Sequence, residues 1–239
     1  MSLWFKRNPQ LLEDIKKSLQ NDYSDLWVND QDEHIDVIGS FPVRANNKII
    51  DRFRIRIELL NNYPKTIPMV FETGGRIPYT KDRHINENDV PEYGTKKGSA
   101  CLFLPEEQFK YYPQGSSFVE FLNGPVNDFF LWQLEYELTG VPSVKGMDPG
   151  TKGIIEYYAQ EIGIKDLNTI IQFTDYLSKD AKGHWNCFCD SGKKLRDCHY
   201  SILIASRRNI AKKIALRSHK SLLAYRSGLI QASKARAIL

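Results

Sequence analysis

Three of the four cysteines in this 239-residue chain lie close together, and a histidine follows the last of them. The group consists of Cys187, Cys189, Cys198 and His199. Three thiolates and one imidazole form a complete tetrahedral ligand set for zinc, and a closed site of this kind stabilises a fold without catalysing a reaction. The spacing therefore predicts a structural zinc site. His184 is an alternative fourth ligand, and a chance cluster of buried thiols is the alternative to metal binding.

The fourth cysteine, Cys101, lies in a segment from residue 74 to residue 116 that has many Gly, Pro and polar residues. Long irregular segments of this kind are usually retained for function. Cys101 is the thiol left free to act as a nucleophile, and the cations Lys96 and Lys97 are expected to lower its pKa. The alternative is a small buried side chain, because free cysteine is among the most buried residue types.

The composition is that of a globular protein, with 41% hydrophobic and 12% aromatic residues. The sequence contains no apolar run of the roughly 18 residues that a membrane span needs, and its start has no apolar core of a secretion signal. We therefore expect a cytoplasmic protein that does not enter membranes. In a reducing compartment, clustered cysteines favour metal binding over disulfide bonds.

The net charge of +4 is distributed unevenly along the chain. Residues 183–239 carry 12 Lys or Arg against Asp190 and Asp197, whereas residues 1–182 carry 21 against 27 acidic residues. The basic segment is either a solvated helical surface or a docking surface for an acidic partner or nucleic acid. Few aromatic residues interrupt it, so we favour an acidic protein surface over nucleic acid.

The first part of the chain has one helix pattern followed by four strand patterns. Asn8, Pro9 and the spacing of the leucines predict a helix over residues 9–19. Strands are expected over residues 23–28, 35–43, 53–59 and 69–71, with strict alternation of apolar and charged residues in the third. A helix followed by an antiparallel four-stranded meander predicts an α+β fold with flanking helices.

Helical spacing returns after the irregular segment. Residues 118–138 have apolar residues at helical spacing, with a break or a new start at Asn123-Gly124-Pro125. Further helices are predicted at 151–162 and 166–178, and one or two basic helices at 201–237.

Three short motifs resemble the ubiquitin-conjugating (UBC) family over roughly residues 5–160. They are Tyr63-Pro64 with Pro68, His84-Ile85-Asn86, and Gly98-Ser99-Ala100-Cys101-Leu102. The closest similarity is to the prokaryotic branch of the family, on the aromatic-rich residues 132–136 and the turn Gly140-Val141-Pro142. That branch includes conjugating proteins encoded beside cGAS-like nucleotidyltransferases in short type II CBASS anti-phage operons.

The resemblance implies a thioester carried on Cys101, with His84 organising the active-site loop and Asn86 stabilising the oxyanion. A backbone amide near Cys101 is the alternative oxyanion donor. Ile85 stands where the eukaryotic family has proline, and Cys101 follows Asn86 by fifteen residues. An acidic residue is expected to orient or deprotonate the incoming amine. The candidates are Asp89, Glu92, Glu106 and Glu107.

Residues 187–199 resemble the SEC-C zinc-binding motif, which favours His199 over His184 as the fourth ligand. In that family the motif serves recognition and stability and does not catalyse. The expected division is a UBC-like catalytic domain at 1–160, a helical connector at 161–182, the zinc motif at 183–201 and a basic helical tail at 202–239.

The resulting hypothesis is a cysteine-dependent acyltransferase that carries a protein C-terminus on Cys101 and passes it to an amine. The resemblance implies that this C-terminus belongs to a cGAS-like nucleotidyltransferase. The sequence has no Gly-rich nucleotide loop, so we expect the donor to be activated elsewhere or through an unusual exchange reaction. The alternatives are a non-catalytic scaffold that recruits a partner through its zinc motif and basic tail, and a deconjugating hydrolase that uses Cys101 with His84.

Overall fold

The computed structural model describes residues 3–30, 34–89, 95–140 and 150–236. The chain folds into two units. The sheet unit comprises Met1–Phe103 and Lys110–Lys145, and the helical unit comprises Leu104–Phe109 and Gly146–Leu239. The expected functional division, with boundaries after residues 160, 182 and 201, stays a prediction.

Four strands of the sheet unit form an antiparallel meander in chain order, as the sequence predicts. They are β1 (Leu26–Asp30), β2 (Ile35–Ala45), β3 (Lys48–Leu59) and β4 (Met69–Glu72). Strands β2 and β3 extend beyond the predicted bounds into a hairpin at Asn46 and Asn47, whose φ angles are 49° and 60°. Two consecutive residues with positive φ match the right-handed twist of a hairpin, and asparagine tolerates this conformation.

The alternating pattern of β3 places one of its faces in the core. Phe53, Ile55 and Ile57 are at most 2% exposed, whereas Arg54 between them is exposed. Glu58 breaks the pattern because it is buried, and its carboxylate accepts hydrogen bonds from Arg56 and from Lys96. Burial opposes ionisation of Glu58, but the two cations outweigh it and lower the pKa of this carboxyl.

Five helices are described before residue 141. They are α1 (Trp4–Arg7), α2 (Pro9–Asp22), α3 (Gln108–Tyr111), α4 (Phe118–Phe121) and α5 (Asn127–Thr139). Helix α2 begins at Pro9 as predicted, with the Asn8 side chain accepting a hydrogen bond from the Leu11 amide at 3.3 Å. It ends three residues later than predicted and buries Leu12, Ile15 and Leu19. An amphipathic face thus fixes α2 in the core of the sheet unit.

The expected break at Asn123-Gly124-Pro125 is a π-helical segment, Leu122–Val126, which joins α4 to α5. Proline has no N–H to donate in a helix, and a π-helical turn is one of the irregularities that a helix uses at such a position. Ser117 caps the start of α4, and Gly140 in the left-handed conformation ends α5. The two predicted helical stretches are therefore one continuous element.

The irregular segment between β4 and α4 contains little regular structure in its described part, as predicted. Two short 3-10 turns, Lys81–Arg83 and Pro105–Glu107, and the four residues of α3 are its helical elements. The expected turn at Val141-Pro142 lies outside the described residues.

The helical unit contains α6 (Thr151–Ile162), α7 (Leu167–Ser178), α8 (Tyr200–Asn209) and α9 (Lys212–Arg236). The first two confirm the predicted helices, and the basic segment forms two helices. Phe188 is fully buried in this unit, where its ring contacts Phe173 at a centroid distance of 5.0 Å and Tyr176 at 6.0 Å. Within the described residues, no helix is both long enough and apolar enough to cross a membrane.

Arg207 of α8 satisfies carbonyl groups at and just after the end of α7. Its guanidinium donates hydrogen bonds to the backbone oxygens of Tyr176 at 2.9 Å, Lys179 at 2.7 Å and Ala181 at 3.3 Å. The last carbonyls of a helix have no partner within the helix, and a cation there also interacts favourably with the helix dipole. Arg207 therefore joins α8 to the end of α7.

Replacing Arg207 with Met removes these hydrogen bonds while retaining most of the side-chain length. We expect Arg207→Met to destabilise the helical unit by about 2 kcal/mol, the typical contribution of hydrogen bonds to a charged group. This loss corresponds to about 30-fold faster hydrogen exchange of the α7 amides. Arg208→Met, at the adjacent exposed position, is the matched control and should leave the exchange unchanged; equal effects would contradict the assignment.

Candidate functional site

Cys101 lies on an extended segment that pairs with the His84-Ile85-Asn86 motif. The Cys101 amide donates a hydrogen bond to the His84 carbonyl at 2.7 Å, and the Asn86 amide donates to the Ser99 carbonyl at 2.9 Å. Ile85 and Ala100 form an antiparallel bridge between these two bonds. Two motifs that are far apart in sequence are therefore adjacent in the fold.

The same segment is attached to the sheet. The Ala100 amide donates to the Val70 carbonyl at 2.7 Å, and Phe71 of β4 forms a bridge with Ser99. Gly98 precedes this contact with a φ of 82°, and a Cβ atom at that position would lie 3.1 Å from the Tyr79 ring. Only glycine combines this backbone conformation with so close an approach. Gly98 therefore allows the chain to enter the pairing that positions Cys101.

The Cys101 thiol is only partly exposed, and burial raises its pKa to about 11. The expectation that Lys96 and Lys97 lower this pKa is wrong. The Lys96 ammonium group lies 2.6 Å from the Glu58 carboxylate, and burial is what sets the pKa of Cys101. The free thiol is therefore protonated at neutral pH.

The Asn86 side chain forms hydrogen bonds with the segment that contains Cys101. Its carboxamide nitrogen donates hydrogen bonds of 3.0 Å to both the carbonyl and the hydroxyl of Ser99. The Ser99 hydroxyl in turn donates to the Lys96 carbonyl at 2.5 Å. The amide group that the resemblance assigns to the oxyanion is therefore engaged with Ser99, and the oxyanion role stays a prediction.

His84 adopts the left-handed conformation, with a φ of 51°. Its ring packs edge-on against Trp132 of α5 at a centroid distance of 5.0 Å, and its carbonyl accepts the hydrogen bond from Cys101. The expected role of His84 in organising the loop stays a prediction. Non-glycine residues rarely adopt this backbone conformation, so the surrounding contacts must hold it in place.

The acidic candidates differ in their surroundings. Glu106 is 2% exposed, and burial raises the pKa of its carboxyl, so it is not accessible to an incoming amine. Asp89 is exposed, and its carboxylate accepts a hydrogen bond from the Lys97 amide at 2.8 Å. Glu107 is partly buried. Glu92 lies outside the described residues.

The cysteine cluster of the helical unit converges on one point. Four ligand atoms lie within 4.8 Å of one another, one from each of Cys187, Cys189, Cys198 and His199. His184 is not part of this group. The four residues that the sequence predicts as ligands are therefore together, and they can bind a metal ion.

The distances within this cluster fit a tetrahedral metal site. The Sγ atom of Cys189 lies 3.4 Å from that of Cys187 and 3.6 Å from that of Cys198, and His199 Nδ1 lies 3.1 and 3.2 Å from two of the sulfurs. The edges of a zinc tetrahedron are about 3.8 Å between sulfurs and about 3.5 Å between sulfur and nitrogen. A disulfide bond would require a sulfur–sulfur distance of about 2.05 Å, so these cysteines are not joined by disulfides.

Local turns bring the ligands together. Asp190 and Gly192 have positive φ angles of 55° and 74° in the turn between Asn186 and Lys194, which form an antiparallel bridge. The Cys187 amide donates to the Lys193 carbonyl at 2.9 Å, and His199 occupies the cap position of α8. Burial opposes ionisation of Cys189, but hydrogen bonds from Ser191 and the neighbouring thiols lower its pKa, whereas burial raises the pKa of Cys187. A thiolate is the form that binds metal.

A second group, which sequence reasoning missed, lies on the sheet. Ligand atoms of His34, Asp36 and Glu58 lie within 4.8 Å of one another, and Asp36 and Glu58 are buried. Arg56 lies 3.7 Å from Asp36 and also contacts Glu58, which Lys96 contacts from the loop. The cations balance the carboxylates, so this group is an ion-pair network that anchors the loop. The position of Glu58 in an alternating strand predicts exposure, and no local signal indicates its partners.

Comparison of the chain with protein-family models, with curated proteins and with solved structures finds no significant match. The fold shown is α+β, with a four-stranded antiparallel sheet and flanking helices. The similarity to the UBC family and to the SEC-C motif stays a hypothesis that rests on the motifs of this chain.

The metal site can be tested by loss of a ligand. We expect the purified chain to bind one metal ion, and Cys198→Ser to reduce its metal content at least tenfold, because three ligands no longer close the site. Elemental analysis after incubation with zinc and gel filtration measures this. His184→Ala removes the neighbouring imidazole and should retain the metal. Metal loss in His184→Ala, or its retention in Cys198→Ser, would contradict the assignment.

Proposed function

We propose that the sheet unit is a ubiquitin-conjugating-like acyltransferase. In the proposed reaction, Cys101 forms a thioester with the C-terminus of a protein and transfers the acyl group to an amine. The observation that supports this proposal best is the pairing of His84-Ile85-Asn86 with Ser99-Ala100-Cys101, bounded by the 2.7 Å hydrogen bond between Cys101 and His84. The long insertion after Asn86 does not separate the two motifs in space.

In the first step, the Cys101 sulfur attacks the activated carbonyl of the donor and loses its proton. The donor's leaving group departs with that proton, and a thioester remains. Because the pKa of Cys101 is about 11, about one thiol in ten thousand is ionised at pH 7. The donor must therefore arrive strongly activated, and the activating group must come from outside this chain.

The high pKa favours retention of the acyl group once it has been transferred. A thioester is neutral, so burial does not penalise it as it penalises the thiolate. A thiol of high pKa is also a poor leaving group, which slows attack by water. We infer that Cys101 holds the acyl group until a positioned amine attacks.

In the second step, an amine attacks the thioester carbonyl, the C–S bond breaks, and the proton of the amine returns the thiol to Cys101. Among the described candidates, Asp89 is the most exposed, and we assign to it the orientation of the amine. The Cys101 amide is engaged with His84, so the oxyanion requires another donor. The Asn86 carboxamide supplies it if it leaves Ser99.

We propose zinc as the metal of the cysteine cluster, because three thiolates and one imidazole suit this ion. Zinc there holds the turn between Cys187 and His199 and takes no part in acyl transfer. On the resemblance, the donor is the C-terminus of a cGAS-like nucleotidyltransferase. The basic helices α8 and α9 are proposed to dock on an acidic protein surface.

A non-catalytic scaffold is the second candidate, because the raised pKa of Cys101 is also that of an inert buried thiol. A Cys–His hydrolase receives less support. In such enzymes a neighbouring imidazolium lowers the pKa of the thiol, whereas here burial raises it.

Thioester formation is tested by intact mass spectrometry of the chain co-expressed with the proteins encoded beside it. We expect a partner-sized adduct that strong reductant removes, and a stable oxyester adduct on Cys101→Ser. Cys101→Ala should form none. A stable complex without an adduct on either the native chain or Cys101→Ser would reject the transferase and favour the scaffold.

The pKa of Cys101 predicts the pH dependence of its reactivity. The thiolate fraction rises with pH until the pKa is reached, so iodoacetamide should label Cys101 about tenfold faster for each pH unit from 7 to 10. The rate at the peptide that contains Cys101 is measured by mass spectrometry. An unstructured cysteine peptide is the control and should level off above about pH 9. A plateau at the same pH for Cys101 would show that its pKa is not raised.

A further inference from the structure

Cys101 lies close along the chain to the point where the two units join. The sheet unit ends its first segment at Phe103, and the helical unit begins at Leu104. Leu102 and Phe103 pack against the core of the sheet unit, whereas Leu104 belongs to the core of the helical unit. Three residues span at most about 11 Å, so Leu104 stays within that distance of Cys101.

The segment Leu104–Phe109 is held within the helical unit by a buried polar contact. Glu106 is 2% exposed and Ser218 of α9 is 1% exposed, and the Ser218 hydroxyl donates a hydrogen bond to the Glu106 carboxyl. Among the described residues, the other carboxyl oxygen of Glu106 has no hydrogen-bond partner. A buried carboxyl is costly unless it is bonded, so loss of the Ser218 contact should release the segment.

Ring contacts connect this polar contact to the metal site. The Phe188 ring lies 5.1 Å from His199 and 5.0 Å from Phe173, and Phe173 lies 5.9 Å from Tyr158 of α6. Leu104, which lies in the same segment as Glu106, belongs with Tyr158, Phe173 and Phe188 to one hydrophobic core. Contiguous packed side chains therefore extend from a metal ligand to the segment that follows Cys101.

We propose that Glu106 and Ser218 are positioning residues for Cys101, and that the metal site supports them through the aromatic core of the helical unit. The proposed function gives this coupling its purpose, since it would make acyl transfer depend on an intact metal site. The coupling itself concerns the burial of the Cys101 thiol, which can be measured without an acyl donor.

Ser218→Ala tests the proposal in the full chain. Iodoacetamide labelling at pH 8, located by peptide mass spectrometry, should become between about 3-fold and about 100-fold faster at Cys101. The upper limit is the gain in thiolate when a pKa of about 11 returns to an ordinary value near 9. Hydrogen exchange of residues 99–103 should accelerate in the same sample, while the α7 amides keep their protection. Glu106→Gln retains a hydrogen-bond partner for Ser218 and should give a smaller change than Ser218→Ala.

Thr174→Val is the matched control. Thr174 is fully buried in α7, and its hydroxyl bonds to the Ile171 carbonyl at 2.9 Å. The same hydroxyl also lies 3.4 Å from Nδ1 of His219, so this variant weakens the same unit and its α7–α9 contact while it retains both partners of the Glu106–Ser218 hydrogen bond. Cys101 labelling should therefore stay within about 2-fold of the native rate. Equal acceleration in Thr174→Val and Ser218→Ala would reduce the effect to general destabilisation and overturn the proposal. An unchanged rate in Ser218→Ala would also overturn it.

Metal removal provides an independent arm. Zinc-loaded chain treated with a chelator should show faster labelling of Cys101, and added zinc should restore the native rate. If chelation strips the metal without changing the Cys101 rate, the metal site does not support the positioning residues and that part of the proposal fails. An absence of thioester in cells would reject the proposed function and leave these rates unaffected, so the two failures are distinguishable.

Discussion

The backbone pairing of residues 84–86 with residues 99–101 is the constraint on which the candidate site depends. It determines where Cys101 lies, and it consumes the Cys101 amide, the Asn86 carboxamide and the Ser99 hydroxyl. Buried backbone groups need partners, so a loop without regular structure retains its shape only when such bonds are available. The sheet supplies the remaining anchors through Val70 and through the ion pair of Glu58 with Lys96.

The helical unit depends on a different kind of contact. Phe188 stands between two metal-ligand cysteines in sequence and reaches a fully buried position among the rings of α7. The turn that supplies the metal ligands therefore also supplies part of the hydrophobic core. Because a small core has little stability to spare, a bound metal would stabilise this unit by removing turn conformations that do not bury Phe188. Residues 187–199 therefore supply both the candidate metal ligands and a buried core side chain.

The class of fold and most elements could be predicted because their signals are local. The alternation of β3, the cap of α2 and the spacing of the metal ligands each lie within a few residues. The predicted strands β2 and β3 were too short. They continue into a tight hairpin because Asn46 and Asn47 both adopt positive φ angles, which the apolar pattern of the strands does not indicate. Asn123-Gly124-Pro125 predicts a break or a new start because proline usually disrupts a helix, whereas the structure has a continuous π-helical segment there.

The polar contacts of the site could not be predicted because their partners are distant in sequence. Glu58 and Glu106 both appear as exposed acids in their local patterns, yet each is buried against a residue far along the chain, Lys96 and Ser218 respectively. The same reason explains why the sequence wrongly predicts a lowered pKa for Cys101. Nearby lysines in sequence suggest a stabilised thiolate, whereas in the fold one of them is paired with Glu58 and burial dominates.

The raised pKa of Cys101 also bears on its resistance to oxidation. Peroxides react with thiolates and scarcely with thiols, and susceptibility follows thiolate character and exposure. A partly buried thiol with a pKa of about 11 therefore survives oxidising conditions that would convert an ordinary exposed cysteine to a sulfenic acid. The chemistry that makes Cys101 slow to react without an activated partner also protects it from damage while it waits for one.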